Sequence, residues 1–434
     1  MEFPVITKKW GKSIHKLDIV YPNLYYGGVY SLAMLIFYNY VNSLNNWQCN
    51  RVYLDKGKLS AKLIGFTLNY ELDYMNVIKI LKLNKLPLTK DRDEILFAGG
   101  NCVTSNPEIY SELFDFLFLG EVEESLAKIL DIYEKFKDKP TFLEKIKDIP
   151  GVYVPGKTKH KTYGIVKDLD KIIYPLYQPL PKILSKEFVF GSSFILETER
   201  GCPYKCKFCM LGSLSKSVRQ RSLKKIKGII DKGTKLNKRD KVIIYAPSFV
   251  HKDRKEILRY MLSKGLTFSV PSIKAETVDE EFISLVVQGG QKTLTLAPEC
   301  NESLRFKIKK LVKDETFFKV VDYANKYKVK KLKYYFLLGL PGQTMNDLKE
   351  TVELIKSLKT KFKGQTYVSF NPLVGKPMTE FSGIVFDKKK IKTQALYLKK
   401  ELSKIGVKIK IPSVSSSEKE YKLANLKGSI LRLR

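Results

Sequence analysis

Between residues 17 and 137, short apolar runs alternate with stretches that have helical periodicity. Five runs read as strands, at residues 17–21, 51–54, 63–67, 95–100 and 116–120. Near-continuous apolar strands separated by helices are typical of a parallel sheet covered on both faces. The pattern therefore predicts an open, Rossmann-type α/β domain that binds ligands at the carboxyl ends of its strands.

Glycines follow two of these predicted strands. Gly27-Gly28 comes after the first, and Gly99-Gly100-Asn101 comes after the fourth. A glycine lets the backbone approach a cofactor closely, but tight strand-to-helix turns need glycine for steric reasons alone. The sequence leaves both interpretations open.

The pattern loosens between residues 138 and 193. This stretch holds Ile149-Pro150-Gly151 and three prolines within residues 174–181. Proline fixes φ and lacks an N–H donor, so the stretch is interpreted as an extended connector between two domains.

The alternation resumes at Phe194 and continues to about Val374. Six candidate strands are separated by helical stretches, at residues 194–199, 241–246, 268–273, 293–297, 332–338 and 366–371. Six βα units in a row favour a parallel sheet curled into a partial (β/α)6 barrel, with chemistry at its strand C-termini.

The last segment is predicted to cap this barrel. It offers a helix from residue 387 to about 403, a strand at 407–411, three serines at 415–417 and a basic terminus that we expect to fray. The domain organisation predicted is an α/β domain at 1–145, a connector at 146–190, the barrel at 191–385 and a cap at 386–434.

The charge balance is strongly cationic. Lysine and arginine number 78 against 45 aspartates and glutamates, a net charge of +33 among 434 residues. Such a charge attracts nucleic acid or another polyanion, although lysines spread over every face would give the same total. With no leader pattern and no apolar stretch that could cross a bilayer, we expect a cytoplasmic protein without a membrane span.

Three of the six cysteines lie within eight residues, directly after the first barrel strand. Cys202, Cys206 and Cys209 are separated by three and then two residues, so their loop can place three thiolates around a cubane cluster and leave the fourth iron open. Zinc is the alternative, but a structural zinc site needs four ligands, and no other Cys or His has paired spacing.

The segment from Thr198 to Cys209 resembles the signature of the radical S-adenosylmethionine (SAM) superfamily, including the aromatic Phe208 before the third cysteine. The resemblance implies a 4Fe-4S cluster whose open iron is chelated by SAM. An electron from reduced ferredoxin or flavodoxin would then cleave SAM to a 5′-deoxyadenosyl radical that abstracts hydrogen. The sequence distinguishes no catalytic acid, base or radical relay.

The resemblance also implies residues that bind SAM. Glu299 would contact the SAM ribose, and Arg305 would steady the SAM carboxylate. The alternatives are an acid at a helix N-terminus and a solvated helix arginine.

Three further positions extend this predicted site. Ser272 would hydrogen-bond SAM, and Gly339 would let the backbone approach the adenine. Many relatives hold the SAM amino group with a Gly-Gly-Glu element, whereas this chain has Ala246-Pro247-Ser248-Phe249. The amino contact is therefore assigned to Ser248 or to the backbone.

An open α/β domain before such a barrel resembles the cobalamin-dependent branch of the superfamily, which implies methyl transfer with cobalamin. The histidine element of that branch is missing, because Asp18 is followed by Ile-Val-Tyr-Pro. A methylthiotransferase-like enzyme acting on RNA is the second hypothesis, although Cys49 and Cys102 are too few for a second cluster. A cationic, cluster-bearing scaffold that binds nucleic acid without catalysis is the third.

Overall fold

A computed structural model describes residues 1–7, 14–215 and 217–433. The chain divides into two compact units. Unit 1 comprises Met1–Ile195, Asp231–Arg239 and Leu426–Arg434, and unit 2 comprises Leu196–Ile230 and Asp240–Asn425. Each unit therefore includes segments that are distant in the sequence.

Unit 1 consists of short strands and the helices that follow them. Its strands are β1 (Glu2–Phe3), β2 (His15–Tyr21), β3 (Trp47–Tyr53), β4 (Leu63–Thr67), β5 (Ile95–Gly99), β6 (Phe116–Phe118), β7 (Val152–Tyr153) and β8 (Leu180–Pro181). Its α-helices are α1 (Tyr25–Gly28), α2 (Leu32–Ser43), α3 (Asp73–Leu83), α4 (Asn101–Ser105), α5 (Glu123–Lys135) and α6 (Lys139–Ile146), and a 3-10 helix spans Pro107–Tyr110.

A six-stranded sheet in the order β3-β2-β4-β5-β6-β7 forms the centre of unit 1. The first five strands are parallel, and every residue of β4 and β6 is buried, as the apolar runs predict. The open parallel sheet is thus confirmed. The structure adds β7, which pairs antiparallel to β6 at one edge. Two residues are too short a strand to give a sequence pattern.

Unit 2 contains most of the strands and helices of the second half of the chain. Its strands are β9 (Ser193–Glu197, which begins at the boundary), β10 (Glu199–Arg200), β11 (Arg219–Gln220), β12 (Lys241–Tyr245), β13 (Thr267–Ser269), β14 (Thr293–Glu299), β15 (Lys331–Leu338), β16 (Gln365–Pro372) and β17 (Lys408–Lys410). The helices are α7 (Met210–Leu214), α8 (Leu223–Asn237, which continues into unit 1 from Asp231), α9 (Arg254–Ser263), α10 (Glu280–Gln288), α11 (Glu302–Lys307), α12 (Asp314–Lys326), α13 (Met345–Lys361), α14 (Lys388–Lys404) and α15 (Val414–Ala424), with a 3-10 helix at Ala275–Thr277. A further 3-10 helix, Ile430–Leu433, belongs to unit 1.

These strands form three sheets, β13-β12-β9, β14-β15-β16-β17 and the two-stranded β10-β11. The pairs β12–β13, β14–β15, β15–β16 and β16–β17 are parallel. The Ile273 N–H donates to the Thr295 carbonyl at 3.0 Å, which joins the segment after β13 to β14. The result is the partial parallel barrel that the sequence predicts.

One face of β15 is much less buried than the other. Leu332, Tyr334, Phe336 and Leu338 are fully buried, whereas the residues between them are half-buried. Among the latter, the Lys333 ammonium lies 4.7 Å from the Tyr335 ring centroid and 5.7 Å from that of Tyr367. The half-buried face therefore presents a cation between two aromatic rings.

The serine-containing segment near the end of the chain forms a helix that the sequence analysis did not predict. Residues Val414–Ala424 form α15, whose N-cap Ser413 accepts a hydrogen bond from the Ser416 N–H at 3.3 Å. The serines at 415–417 lie in the first turn of this helix, where the cap compensates for their weak helix propensity. In the described ranges, no helix is both long and apolar enough to cross a membrane.

Candidate active site

The loop that carries the three cysteines begins and ends at a small antiparallel pair of strands. β10 and β11 pair through Glu199 with Gln220 and Arg200 with Arg219. Gly201 follows β10 with φ +86°, and a Cβ at this position would lie 2.2 Å from the Ser217 carbonyl oxygen. Only glycine fits this close approach, so the loop depends on Gly201 to leave β10.

A buried ion-pair cluster holds the base of the loop. Glu197, at the end of β9, accepts from Arg200 Nε at 2.8 Å and from Arg221 Nη2 at 2.7 Å. Arg221 is 1% exposed, and its backbone N–H donates to the Thr198 carbonyl at 3.0 Å. The two guanidinium groups that pair with this buried carboxylate hold together the strands that enter and leave the loop.

Cys202, Cys206 and Cys209 line a single pocket. The Cys209 N–H donates to the Cys206 carbonyl at 3.0 Å, and the Lys207 N–H donates to the Ile308 carbonyl at 3.1 Å. The first bond curls the loop, and the second docks it on the chain beyond α11. All three cysteines of the predicted loop thus border one cavity, and their binding of a cluster stays a prediction.

The chemistry of the lining fits a cubane cluster. In the part of the chain that the structure describes, no three His, Cys, Asp or Glu side chains converge closely enough to bind one metal ion. A cubane does not require such convergence, because each thiolate binds a different iron. The pocket offers three soft thiols and no imidazole, which matches iron–sulfur ligation.

The same pocket contains the residues that could bind SAM beside the cluster. Ser272 and Glu299 line it, as does Phe208. Glu299 lies at the end of β14, after a break in the pairing with β15, and has φ +68°. Phe208 also packs against the apolar cluster around Leu304 and Phe381. The structure thus brings three of the predicted cofactor-binding residues to the cysteines.

Lys310 is a lining residue that the sequence analysis missed. It is 7% exposed, and its Nζ donates to Glu299 Oε1 at 2.8 Å. It follows α11 in irregular chain and belongs to no motif, so no periodicity identifies it. The signal available was a lysine eleven residues after Glu299, the predicted ribose-binding acid.

Arg305 is fully buried outside the pocket lining. Its guanidinium donates to the carbonyls of Pro298, Cys300 and Val312, each at 2.7 Å, and pairs with Asp314 at 2.8 Å. Through these hydrogen bonds the Arg305 guanidinium links β14 to the chain that follows α11. Lys310 and Lys274 line the pocket, whereas Arg305 does not.

Ser248 and Gly339 also lie outside the pocket lining. Ser248 is buried, and its hydroxyl has no hydrogen-bond partner among the described residues. Gly339 has φ +74°, and a Cβ there would lie 2.8 Å from the Ile391 side chain. Close packing against α14 accounts for this glycine, and the SAM contacts of both residues stay predictions.

The other three cysteines are buried apart from the pocket. Cys49 and Cys102 lie within unit 1, and Cys300 packs in the apolar cluster that Phe208 contacts. Burial raises the pKa of the Cys300 thiol to about 12. A buried, protonated thiol of this kind is a packing residue.

Comparison with known families assigns both halves of the chain. Residues 58–155 match the family described as "Radical SAM proteins, N-terminal", and residues 196–355 match the "Radical SAM superfamily". The chain belongs to the radical SAM superfamily. This radical SAM enzyme is also 33% identical over 414 residues to the uncharacterized protein MJ0966 of Methanocaldococcus jannaschii, a match that covers 93% of this chain and 87% of that protein.

Two solved structures share the fold of this radical SAM enzyme. The radical SAM methyltransferase TsrM of Kitasatospora setae, with cobalamin and a [4Fe-4S] cluster bound, aligns with a TM-score of 0.61 at 13% identity, covering 82% of this chain and 72% of TsrM. The cobalamin-dependent radical SAM enzyme OxsB, with aqua-cobalamin bound, aligns with a TM-score of 0.61 at 14% identity, covering 90% of this chain and 56% of OxsB.

Membership in the superfamily identifies the reactants of the first step. A 4Fe-4S cluster and SAM are the cofactors of a radical SAM enzyme, and an external electron donor is required. The three thiols and the adjoining Ser272, Glu299 and Lys310 make up a pocket of matching chemistry. The enzyme class therefore agrees with the site built from the residues.

Proposed function

We propose that this enzyme transfers methyl groups with the help of cobalamin bound by unit 1. The observation that supports this most directly is the likeness of fold to TsrM and OxsB, which extends over 82% and 90% of the chain and so includes both units. The cluster would be held by Cys202, Cys206 and Cys209. Once bound, cluster and SAM supply an adenosyl radical able to take hydrogen from an unactivated carbon.

The protein's own part in this chemistry is to orient SAM and to exclude water. The Glu299–Lys310 pair offers a carboxylate and an ammonium next to the thiols. We assign Lys310 to the carboxylate of SAM and Glu299 to its ribose hydroxyls. The ammonium would then pair with a carboxylate, and the Glu299 carboxylate would accept hydrogen bonds from hydroxyl groups. Phe208 supplies an apolar wall beside the third cysteine.

We place the substrate against the half-buried face of β15 and β16. Lys333, Tyr335 and Tyr367 lie there with a cation beside two rings. A partial barrel whose inner face is only half-buried leaves room for a substrate where a filled barrel would not.

The carboxyl edge of the unit 1 sheet limits how cobalamin could bind. The strand order places a topological switch between β2 and β4, where such sheets bind ligands. Asn23 Nδ2 donates to Asp73 Oδ1 at 2.7 Å and Asn76 Nδ2 to the Pro22 carbonyl at 2.9 Å, so the two loops are already tied together. We therefore place the corrinoid on the carboxyl edge of the sheet, with no part of it inserted between these two segments.

Histidine ligation is not part of this proposal. His15 lies at the start of β2, opposite the ligand-binding edge, and stacks at 5.2 Å on Trp47. Gly100 does not mark a corrinoid cradle, because a Cβ there would lie 2.4 Å from the Leu68 carbonyl oxygen of the same unit. We therefore assign His15 no part in holding the corrinoid.

Anaerobic reconstitution with iron, sulfide and hydroxocobalamin tests the proposal. We expect about four irons per chain, a corrin absorption spectrum that stays with the protein on gel filtration, and release of 5′-deoxyadenosine from SAM after reduction. The triple variant Cys202→Ala/Cys206→Ala/Cys209→Ala should lose the iron, whereas the control Cys102→Ala should keep it. Iron and 5′-deoxyadenosine without retained corrinoid would reject the cobalamin part alone. A cluster without 5′-deoxyadenosine would favour the non-catalytic scaffold.

A further inference from the structure

We propose that a lysine-lined depression in unit 2 is a docking surface for the phosphate backbone of double-helical RNA. The depression lies at the amino ends of β14, β15 and β16 and is called the lysine depression below. Five of its ten lining residues are lysines, namely Lys292, Lys328, Lys330, Lys331 and Lys363. This inference does not depend on the proposed methyl transfer, because it concerns binding at a separate surface.

The lysine depression is held by backbone hydrogen bonds and is not a loose basic tail. The N–H groups of Lys330 and Lys331 both donate to the Lys292 carbonyl at 3.1 Å, and the Gln365 N–H donates to the Lys330 carbonyl at 2.9 Å. A Cβ on Gly364 would lie 2.7 Å from that Lys330 carbonyl oxygen. The first residues of three neighbouring strands are thus joined, which fixes the spacing of the lysines.

The charge of the lysine depression is not compensated by the protein. No aspartate or glutamate is among the lining residues, and none of the five lysines forms an ion pair within the described residues. The lysines just outside it are paired, Lys361 with Asp322 at 2.8 Å and Lys326 with Glu280. Uncompensated ammonium groups on a fixed surface attract a polyanion and release its counterions on binding.

The lining favours a phosphate backbone over an acidic protein. It contains no aromatic side chain, and its one aliphatic side chain, Val329, is 5% exposed. Protein interfaces depend on apolar and aromatic anchors, and single-stranded nucleic acid is held by stacking on aromatic rings. A duplex can be bound without sequence preference through contacts to its phosphates, which ammonium groups supply.

The position of the depression argues against an electron donor as the partner. The cluster pocket includes Ala297 and Glu299 at the carboxyl end of β14, whereas Thr293 at its amino end lines the depression. These ends are about 20 Å apart at the rise of a β-strand. A donor bound at the depression would be held away from the cluster.

RNA suits the width of the lysine depression better than DNA. Three adjacent strands span about 10 Å, less than the roughly 12 Å major groove of B-form DNA. A-form RNA has a narrow major groove, which brings its two phosphate rows close together. Five ammonium groups on such a patch can therefore contact both rows.

Fluorescence anisotropy with a labelled RNA duplex of about 20 base pairs tests this inference on the full reconstituted chain. The variant Lys328→Gln/Lys330→Gln/Lys363→Gln removes three exposed lysines of the depression. The control Lys392→Gln/Lys399→Gln/Lys400→Gln removes three exposed lysines of α14 and changes the net charge equally. For the depression variant we expect the slope of log affinity against log salt to fall by about three, and affinity to drop by about one to two orders of magnitude.

The control variant should bind the RNA duplex as the native chain does. Equal weakening of both variants would show that only net charge matters and would overturn the inference. Competition by a DNA duplex or by poly-glutamate as effective as that by RNA would also overturn it. Thermal unfolding of each variant verifies that a loss of binding is not a loss of fold.

Discussion

Lys310 donates to Glu299 across 2.8 Å inside the pocket that the three cysteines line. Both side chains are at most 10% exposed, so neither charge is strongly screened by water. The pair places a cation at the site without relying on Arg305. It also makes the binding of SAM testable separately from the assembly of the cluster.

Replacing Lys310 should weaken SAM binding and leave the cluster in place. Loss of a charge-assisted hydrogen bond costs about 1.5–3 kcal/mol, so Lys310→Met should raise the Kd for SAM by about ten- to a hundredfold. Equilibrium binding of SAM to the reconstituted protein measures the change, and iron content should match that of the native chain. Lys313→Met, which removes an exposed lysine from the same stretch, is the control. An unaltered Kd in Lys310→Met would reject the assignment.

Replacing Arg305 should lower stability rather than SAM affinity. Its guanidinium holds three buried carbonyls and pairs with Asp314, so Arg305→Met leaves these groups without a partner. We expect the free energy of unfolding to fall by about 3–5 kcal/mol, measured by urea denaturation. Lys307→Met, an exposed change on the same helix, should have little effect. A stable Arg305→Met protein with weakened SAM binding would support the direct SAM contact suggested by the sequence.

A side chain at position 201 should prevent the cysteine loop from forming. Gly201→Ala places a methyl group against the Ser217 carbonyl and puts alanine at φ +86°. We expect reduced iron incorporation and a stability loss of at least about 1 kcal/mol. Gly228→Ala is the matched control, because its Cβ meets nothing within 4 Å and it lies within α8. Full iron content in Gly201→Ala would show that the loop can leave β10 by another route.

The free energy of unfolding should decrease as the solution is acidified through the titration range of His251. Burial lowers the pKa of this imidazole below its usual value. Its Nδ1 accepts from the Asp253 N–H at 3.0 Å and its Nε2 lies 2.8 Å from the Arg221 carbonyl, an arrangement that requires the neutral ring with the proton on Nε2. The unfolded chain therefore binds the proton first as the pH falls.

The stability contributed by neutral His251 is thus complete above the unfolded pKa of about 6.5 and is lost as the pH falls toward the lower folded-state value. The slope in this window reaches at most about 1.4 kcal/mol per pH unit. Urea denaturation at about pH 7.5 and about pH 5.5 measures the loss. His251→Gln, which cannot titrate, should lose less over the same interval. Equal losses in the two proteins would reject this role.

Local patterns in the sequence predicted the strands and the cysteine loop because these depend on neighbouring residues. Apolar runs gave the buried strands of unit 1, and the spacing of Cys202, Cys206 and Cys209 gave a loop that turns three thiols into one pocket. The α15 helix was missed, since its stability depends on the Ser413 cap and on packing rather than on the propensity of its serines.

Contacts between residues far apart in the sequence could not be predicted from local patterns. The burial of Arg305 against the Val312 carbonyl and the contact of Lys310 with Glu299 depend on the path of the chain after α11, which no motif encodes. The segment Leu426–Arg434 groups with unit 1 although it follows the barrel, where the Asn106 amide donates to the Leu426 carbonyl at 3.5 Å. The domain boundaries at residues 145, 190 and 385 stay predictions.

The pairing of β10 with β11 brings the entrance and the exit of the cysteine loop side by side. The cysteine loop extends from this strand pair. Its base is held by the contacts of Glu197 with Arg200 and Arg221. A polypeptide so arranged can complete its folding before any iron arrives. We therefore expect cofactor insertion to be a late step of maturation, in which iron and sulfide enter a barrel that is already folded.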